Sequence, residues 1–300
     1  MKGLEPDRST MLGAETTARA NVNVALVKYW GKRDPVLNLP TTGSISLTLD
    51  GLWVESTLRV RGEGPDQCII DGEVASGPDG ERVCAASSTS CGRRPACKAP
   101  SHVRTTSGVP TGAGLASSAA AFASVAVAAS RAAGLHLEPP ALSALARRGS
   151  GSASDPSSAA SSSGAAGARA DGRDSIAEPL LPANAWPVRM VVAVTSTARK
   201  AVSSRDGHGA GRRVAPLSRR GSRPPRPISR RPGAAIAARD LEALGLVAEH
   251  SAHQDARDRA RRAPAAPLLA RRDRRVRPSR LGAAAPRASA AGSRSTPVRR

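Results

Sequence analysis

The run Asn23-Val24-Ala25-Leu26-Val27-Lys28-Tyr29-Trp30-Gly31-Lys32-Arg33-Asp34 sets two lysines four residues apart. An aromatic pair and a glycine lie between them, at the end of an apolar stretch. Compact ammonium charges neutralise phosphate, and glycine lets backbone come close to a ligand, so the run suits an anionic substrate. The same spacing also fits a strand end with surface lysines and a Tyr-Trp pair in the core.

A second constellation is Val109-Pro110-Thr111-Gly112-Ala113-Gly114-Leu115-Ala116-Ser117-Ser118-Ala119-Ala120. Glycine and serine crowd the start of an expected helix, where backbone N–H groups, hydroxyls and the helix dipole can cradle phosphate oxygens. It is not a Walker A sequence, since no Gly-Lys-Ser/Thr follows. Close packing of small residues would select the same composition. A third, Arg147-Arg148-Gly149-Ser150-Gly151-Ser152-Ala153, puts two hydroxyls in a glycine-rich turn beside two arginines. Such a turn can hold an anion, or simply connect two elements.

The elements that must position these residues follow from hydrophobic periodicity. Strands are expected at Val22–Tyr29, Ser44–Leu49, Leu52–Val60 and Ile69–Ile70, the last closing on an Asp71-Gly72 hairpin turn before Glu73. Helices are expected over Leu115–Leu135 and Pro140–Arg148. Gly151–Gly167 has the composition of a linker. Met190–Thr195 reads as the clearest buried strand, and Ala234–His250 as an amphipathic helix with Ile236, Leu241, Leu244, Val247 and Ala248 on its apolar face. Strands alternating with helices argue for a mixed layer fold.

Composition divides the chain. Of its 300 residues 45 are Lys or Arg against 24 acids, and only five are aromatic, all before residue 187. Residues 208–300 hold 23 Arg, no Lys and six acids, a net of +17. That tail is too poor in large apolar residues to build a packed core. Its charge could bind nucleic acid non-specifically through phosphate neutralisation. It has no aromatic residue to stack on bases and no recognition helix or zinc spacing. No apolar run approaches the roughly 20 residues that span a bilayer. Met1–Thr17 lacks the apolar centre of a secretory signal. Cys68, Cys84, Cys91 and Cys97 have neither C-x-x-C nor zinc-finger spacing and are expected to be reduced thiols of a cytoplasmic protein.

The order and wording of the three constellations resemble the diphosphomevalonate decarboxylases of the GHMP kinase superfamily. That family opens like N-I-A-L-I-K-Y-W-G-K-R-D, followed by L-x-L-P and S-x-S-x-T-L. Leu37-Asn38-Leu39-Pro40 and Ser44-Ile45-Ser46-Leu47-Thr48-Leu49 occupy those places. Pro110 to Ala119 resembles its P-T-A-A-G-L-A-S-S-A loop with Gly112 changed, and Leu142–Ala153 its L-S-x-L-A-R-x-G-S-G-S-A segment. Lys200, Val202, Ser203, Ser204, Arg205, Asp206 and Gly207 match its K-x-V-S-S-R-D-G stretch. Together the similar segments cover about two-thirds of the chain.

The resemblance implies an α+β, GHMP-kinase-like fold of two domains, residues 1–185 and a degraded C-terminal half over 186–300. It implies ATP and Mg²⁺, mevalonate 5-diphosphate as substrate, isopentenyl diphosphate as product, and a homodimer as the common assembly. On it Lys28 lies at the reacting centre. Tyr29, Trp30, Gly31, Lys32, Ser150, Gly151, Ser152, Ala153 and Arg205 hold the substrate. Pro110, Gly114, Leu115, Ser117 and Ser118 hold the nucleotide phosphates. Another superfamily member, such as a mevalonate or phosphomevalonate kinase, fits the Lys-Tyr-Trp-Gly-Lys run less well.

Departures from the family pattern are specific. The family continues S-G-S-A-C-R-S with a substrate-gripping Arg, whereas Ser154-Asp155-Pro156 follows Ala153 here. Glu73 stands where some members carry a substrate-binding Arg. The family's catalytic Asp lies in a D-A-G-P-N motif, which this sequence lacks, and the only acid after Asp258 is Asp273. Resemblance stops near Val83, after Ala153, after Gly207 and after His250, and each patch is filled by Arg, Ala, Pro, Ser, Gly or Cys. That is the vocabulary of a GC-rich gene read out of frame, consistent with 40 Arg against five Lys. Residues 84–102, 154–166 and much of 208–300 are therefore expected to be poorly ordered. Two alternatives stand beside the decarboxylase: an inactive frame-disrupted relative, and a basic nucleic-acid-binding protein acting through 208–300.

Overall fold

The computed structural model describes residues 13, 15–29, 31–61, 63–90, 100–111, 114–153, 161–193 and 230–262. Two long antiparallel strands organise them: β1 (Glu15–Val27) and β4 (Ser44–Val60). Alternation along Val54, Ser56, Leu58 and Val60 buries one face of β4, as a half-covered strand requires. The strands expected at 44–49 and 52–60 are one strand carrying a bulge. Asn21 pairs with Trp53 but Val22 with Leu49, so Asp50, Gly51 and Leu52 have no counterpart on β1. Gly51 takes φ +79° there, and the Asp50 carboxylate accepts its N–H at 2.9 Å.

Between these strands, β2 (Lys32–Asp34) and β3 (Leu39–Pro40) form a separate small hairpin. Past β4, β5 (Gln67–Ile70) turns into β6 (Glu73–Val74) through Asp71 and Gly72 at φ 51° and 87°, the two positive values a type I′ turn needs. Helix α1 (Pro78–Ser90) then returns the chain to β7 (Ser101–Ser107), parallel to β5 and antiparallel to β4.

Helix α2 (Ser117–Ala132) covers β1 and β4 with a face of alanines plus Phe122 and Val125. The hydroxyls buried beneath it are satisfied. Ser56 Oγ lies 2.7 Å from Ser124 Oγ and 3.1 Å from Thr105 Oγ1. Helix α3 (Pro139–Gly149) starts on two prolines, where the missing N–H costs nothing, and packs Gly149 against the Phe122 ring. The sequence expected both helices, with α2 somewhat longer.

Four expectations are corrected. Gly151–Gly167 is not a linker throughout, for Ser161–Gly164 forms β8, paired with Ser44–Leu47 of β4 and with β9 (Ala177–Leu181). Small hydroxyl side chains fit that buried position without the apolar alternation that announces a strand. Among residues expected to be poorly ordered, 84–90 are helical, 101–102 lie in β7 and 161–164 in β8; 91–99, 154–160 and 208–229 lie outside the described residues. Met190–Ala193 forms no strand, and Val191 is 93% exposed. An apolar run alone cannot say what will cover it; Val194 and Thr195 lie outside the described residues.

The fourth concerns Ala234–His250, which is two helices, α4 (Arg230–Ala237) and α5 (Leu241–Arg262). Arg239 at φ 55° reverses the chain, with the Asp240 N–H bonded to the Ala235 carbonyl at 2.9 Å. Asp240 then restarts the helix, its carboxylate accepting the Ala243 N–H at 2.9 Å. Ala235, Ile236 and Leu244 bury against Ile45, with Leu26, Val27, Leu181 and Trp186 alongside, while Leu241 is 63% exposed. The described helices α4 and α5 belong to the same compact unit as the sheet, Met1–Arg262.

Candidate active site

Lys28 and Tyr29 follow directly on the last β1–β4 pair, Val27 with Ile45. Their backbone is held from the far end of the chain, for the Lys28 N–H donates to Ser251 Oγ of α5 at 3.2 Å. Tyr29 reaches the turn after α3, and a Cβ on Gly151 would lie 2.5 Å from its hydroxyl oxygen. Glycine at 151 is what lets the Tyr29 hydroxyl come this close, and the first and third constellations meet at this point. The turn itself is compact. The Ala153 N–H donates to the Ser150 carbonyl at 2.8 Å, and the Ser150 and Ser152 hydroxyls lie 3.3 Å apart. Ala153 is buried, while Ser150, Gly151 and Ser152 stay half-buried.

Gly31 has φ +64°, and a Cβ there would meet Thr41 Oγ1 at 2.8 Å, so both space and backbone exclude a side chain. Lys32, half-buried, opens β2 opposite Pro40. Trp30 lies outside the described residues, as does Arg205.

The second constellation starts α2. Gly114 has φ +93°, and Ala116 adopts the left-handed conformation at the N-cap with no side-chain cap bond. Within the first turn of α2 the Ala119 N–H turns back to the Ala116 carbonyl at 2.9 Å, and no N-cap side chain covers the N–H groups of half-buried Ser117 and exposed Ser118. That arrangement suits a phosphate group, which brings both acceptor oxygens and the charge favoured at a helix N-terminus. Pro110 is exposed and Leu115 half-buried on the approach, and Gly112 and Ala113 lie outside the described residues.

Asp71 is a residue that sequence reasoning read only as part of a turn. Its carboxylate accepts the Ser107 N–H at 2.8 Å and the Thr111 hydroxyl at 2.7 Å, tying the hairpin to the loop before α2. Its only signal was the Asp-Gly pair; the partners are 36 and 40 residues away.

The arginines of the third constellation divide. Arg147 is 3% exposed, and its Nη1 donates to the carbonyls of Gly172, at 2.8 Å, and Ser175. Burial first, then the charges of Arg33 and Arg148, push its pKa down to about 10. It braces the 172–175 turn against α3 and is not available to an outside anion; Arg148 is exposed.

No group of three or more His, Cys, Asp or Glu residues able to hold a metal occurs among the described residues. The described residues thus supply no carboxylate cage for magnesium. Cys68 and Cys84 are buried free thiols, as expected, and Cys91 and Cys97 lie outside the described residues. No described helix is long and apolar enough to cross a membrane.

A mixed seven-stranded sheet, a small-residue helix started by a glycine-serine loop, and a Lys-Tyr strand end packed on a Gly-Ser turn define a GHMP-kinase-like α+β protein. Residues 20–177, more than half of the chain, match the family described as "Diphosphomevalonate decarboxylase-like N-terminal domain", and the chain belongs to that family. A diphosphomevalonate decarboxylase of Aspergillus fumigatus is 37% identical over 207 residues, 64% of this chain and 51% of the relative. That of Gibberella zeae is 39% identical over 210 residues, 65% of this chain and 54% of the relative. The chain spans about half the length of the curated relatives it matches. Mevalonate diphosphate decarboxylase from Staphylococcus aureus superposes with a TM-score of 0.66 at 29% identity, covering 81% of this chain and 73% of that one. MDDEF, solved in complex with MVAPP, AMPPCP and magnesium, gives 0.64 at 30% identity, covering 81% and 74%.

Proposed function

We propose that this chain acts on mevalonate 5-diphosphate, using ATP to convert it to isopentenyl diphosphate, inorganic phosphate and carbon dioxide in the mevalonate pathway. The observation that carries this reading is the contact of Tyr29 with the backbone of Gly151. It joins a lysine-bearing strand end to a hydroxyl-bearing turn, and the helix α2 starts without a side-chain cap at its glycine-serine loop. The relatives' names and the ligands of MDDEF point the same way.

In this reading the tertiary 3-hydroxyl takes the terminal phosphoryl group of ATP, its proton passes to solvent, and ADP leaves. The new phosphate ester then departs with its C–O electron pair. The pair from the breaking bond to the carboxylate closes the double bond, releasing carbon dioxide. Lys28 stabilises the anionic charge at the reacting centre, while Tyr29, Trp30, Gly31, Lys32, Arg205 and the Ser150–Ala153 turn hold the substrate. Pro110, Gly114, Leu115, Ser117 and Ser118 hold the nucleotide phosphates at the start of α2. Magnesium bound to those phosphates would supply charge neutralisation there. The domain division near residue 185, a cytoplasmic location and a homodimer belong to the same reading.

Release of labelled carbon dioxide from carboxyl-labelled mevalonate 5-diphosphate, with ATP and magnesium present, tests it. The sequence lacks a D-A-G-P-N motif and the Arg that follows S-G-S-A-C. Those two departures favour a second reading, a relative that binds substrate without turning it over. Calorimetric binding of mevalonate 5-diphosphate without carbon dioxide release would establish the second reading over the first. The net +17 of residues 208–300 favours a third. Salt-dependent DNA or RNA binding, lost on removal of that segment, would establish it.

A further inference from the structure

The apolar face of α5 contains one residue that does not belong to it by type. Leu244 is 2% exposed, Val247 and Ala248 are half-buried, and Ser251 is 5% exposed, while the intervening residues point to solvent. Positions 244, 247, 248 and 251 follow i, i+3, i+4, i+7, one stripe of a helix. Simple packing would place Leu, Val or Ala at the last of them. Ser251 instead accepts the backbone N–H of Lys28 at 3.2 Å, across 223 residues of sequence. That N–H sits one residue beyond the final β1–β4 pair, Val27 with Ile45.

We propose that Ser251 is a positioning residue for Lys28. It fixes the backbone from which Lys28 and Tyr29 project, so that the lysine meets the anionic substrate while Tyr29 stays on Gly151. This rests on the substrate reading above. The second core sets the geometry. Leu244, two turns before Ser251, packs with Ile236 against Ile45, the β4 partner of Val27, so α5 is anchored one pair away from the N–H it serves. A helix from the C-terminal part of the chain thereby completes a site whose other residues all precede residue 154, apart from Arg205.

The test uses the full chain with mevalonate 5-diphosphate as probe in titration calorimetry, and amide hydrogen exchange read on the peptide containing Lys28. Ser251→Ala is expected to weaken binding at least fivefold and to speed exchange at Lys28 about tenfold. Ser251→Thr, which keeps the hydroxyl, restores both. Ser87→Ala removes a buried hydroxyl bonded to the Cys84 carbonyl and to Ser101, far along the chain from either helix of the second core. It should change thermal stability while leaving affinity and Lys28 exchange unmoved. Wild-type affinity in Ser251→Ala overturns the proposal, as does failure of Ser251→Thr to restore it. If the wild-type chain itself does not bind the probe, the substrate reading fails. Lys28 exchange then decides separately whether Ser251 holds that amide, and unchanged exchange in Ser251→Ala overturns the contact.

Discussion

The core under α2 and the core under α4 and α5 are built on different terms. Beneath α2 the buried side chains are mostly alanines, with Val22, Val54, Leu58, Val103 and Val125 from the sheet and the helix itself filling the remaining space. Small residues bring the helix backbone close to the strands and leave no slack. A Cβ on Gly149 would lie 2.1 Å from the Phe122 ring. Under α4 and α5 the buried set is Ile45, Ala235, Ile236 and Leu244. There a few branched side chains carry the docking of two helices. The first core should be intolerant of added volume and the second of lost volume. The second matters to function because Ser251 is attached to it.

The largest effect is expected from Ile236→Ala, whose side chain is 1% exposed. Truncating such a residue costs about 2–5 kcal/mol. The loss should show first as exchange of α4, α5 and the Lys28 amide, with the sheet under α2 remaining protected in native-state hydrogen exchange. Simultaneous exchange of both regions would mean that the two cores unfold as one unit and are not independent.

Gly149→Val is the counterpart in the first core. The added atoms have nowhere to go but into Phe122, so unfolding stability should fall by about 1–3 kcal/mol in denaturant titration. A tolerated valine would show that α2 and α3 can move apart. The expected damage would then belong to the second core alone.

How far these cores were legible in sequence follows the same division. The first rests on long runs with clear periods, so β1, β4 and α2 could be placed, although the bulge at Asp50–Leu52 made one strand look like two. The Asp71-Gly72 turn carried its conformation in its residue types. β8 did not, because Ser161–Gly164 owes its place to hydrogen bonding with Ser44–Leu47 and not to an apolar pattern. Met190–Val192 shows the opposite failure, an apolar run that the described residues leave exposed. The break between α4 and α5 was readable from Asp240 as a helix start, yet apolar spacing on both sides of it suggested one helix. At the site, the three constellations were visible as separate runs, but that Tyr29 lies on Gly151 and Lys28 on Ser251 depends on contacts between distant segments. Arg147 looked available beside its serines; only its burial against the 172–175 turn removes it.

A change of pH probes the first core without adding or removing atoms. Burial first, and then neighbouring Cys84, pushes the Cys68 thiol up to about 11, well above the ordinary thiol range. Cys84 is also raised, by burial and then by Asp66. A group whose pKa is higher when folded favours the folded state while it is protonated. That contribution is complete below pH 9 and disappears as pH rises through 11, a loss on the order of 2 kcal/mol for Cys68. Stability measured by denaturant titration should decline over that interval, and Cys68→Ala should flatten the decline. A profile unchanged by Cys68→Ala would show that the thiol is not held neutral by this core.

The smallest effect on folding should be the most local on binding. In Gly151→Ala the new Cβ meets the Tyr29 hydroxyl, the far end of a side chain that can rotate away, so the fold should keep its stability to within about 0.5 kcal/mol. The displaced ring no longer fixes the strand end against the Ser150–Ala153 turn. Affinity for mevalonate 5-diphosphate should therefore drop about tenfold, equivalent to about 1.4 kcal/mol. This separates the site from both cores: Gly149→Val acts through packing beneath α2, and Ile236→Ala through the anchor of Ser251, whereas Gly151→Ala touches neither. If Gly151→Ala binds as the wild type does, the meeting of Tyr29 with the turn is packing without a role in the site. The arrangement of Lys28 would then have to rest on Ser251 and the second core alone.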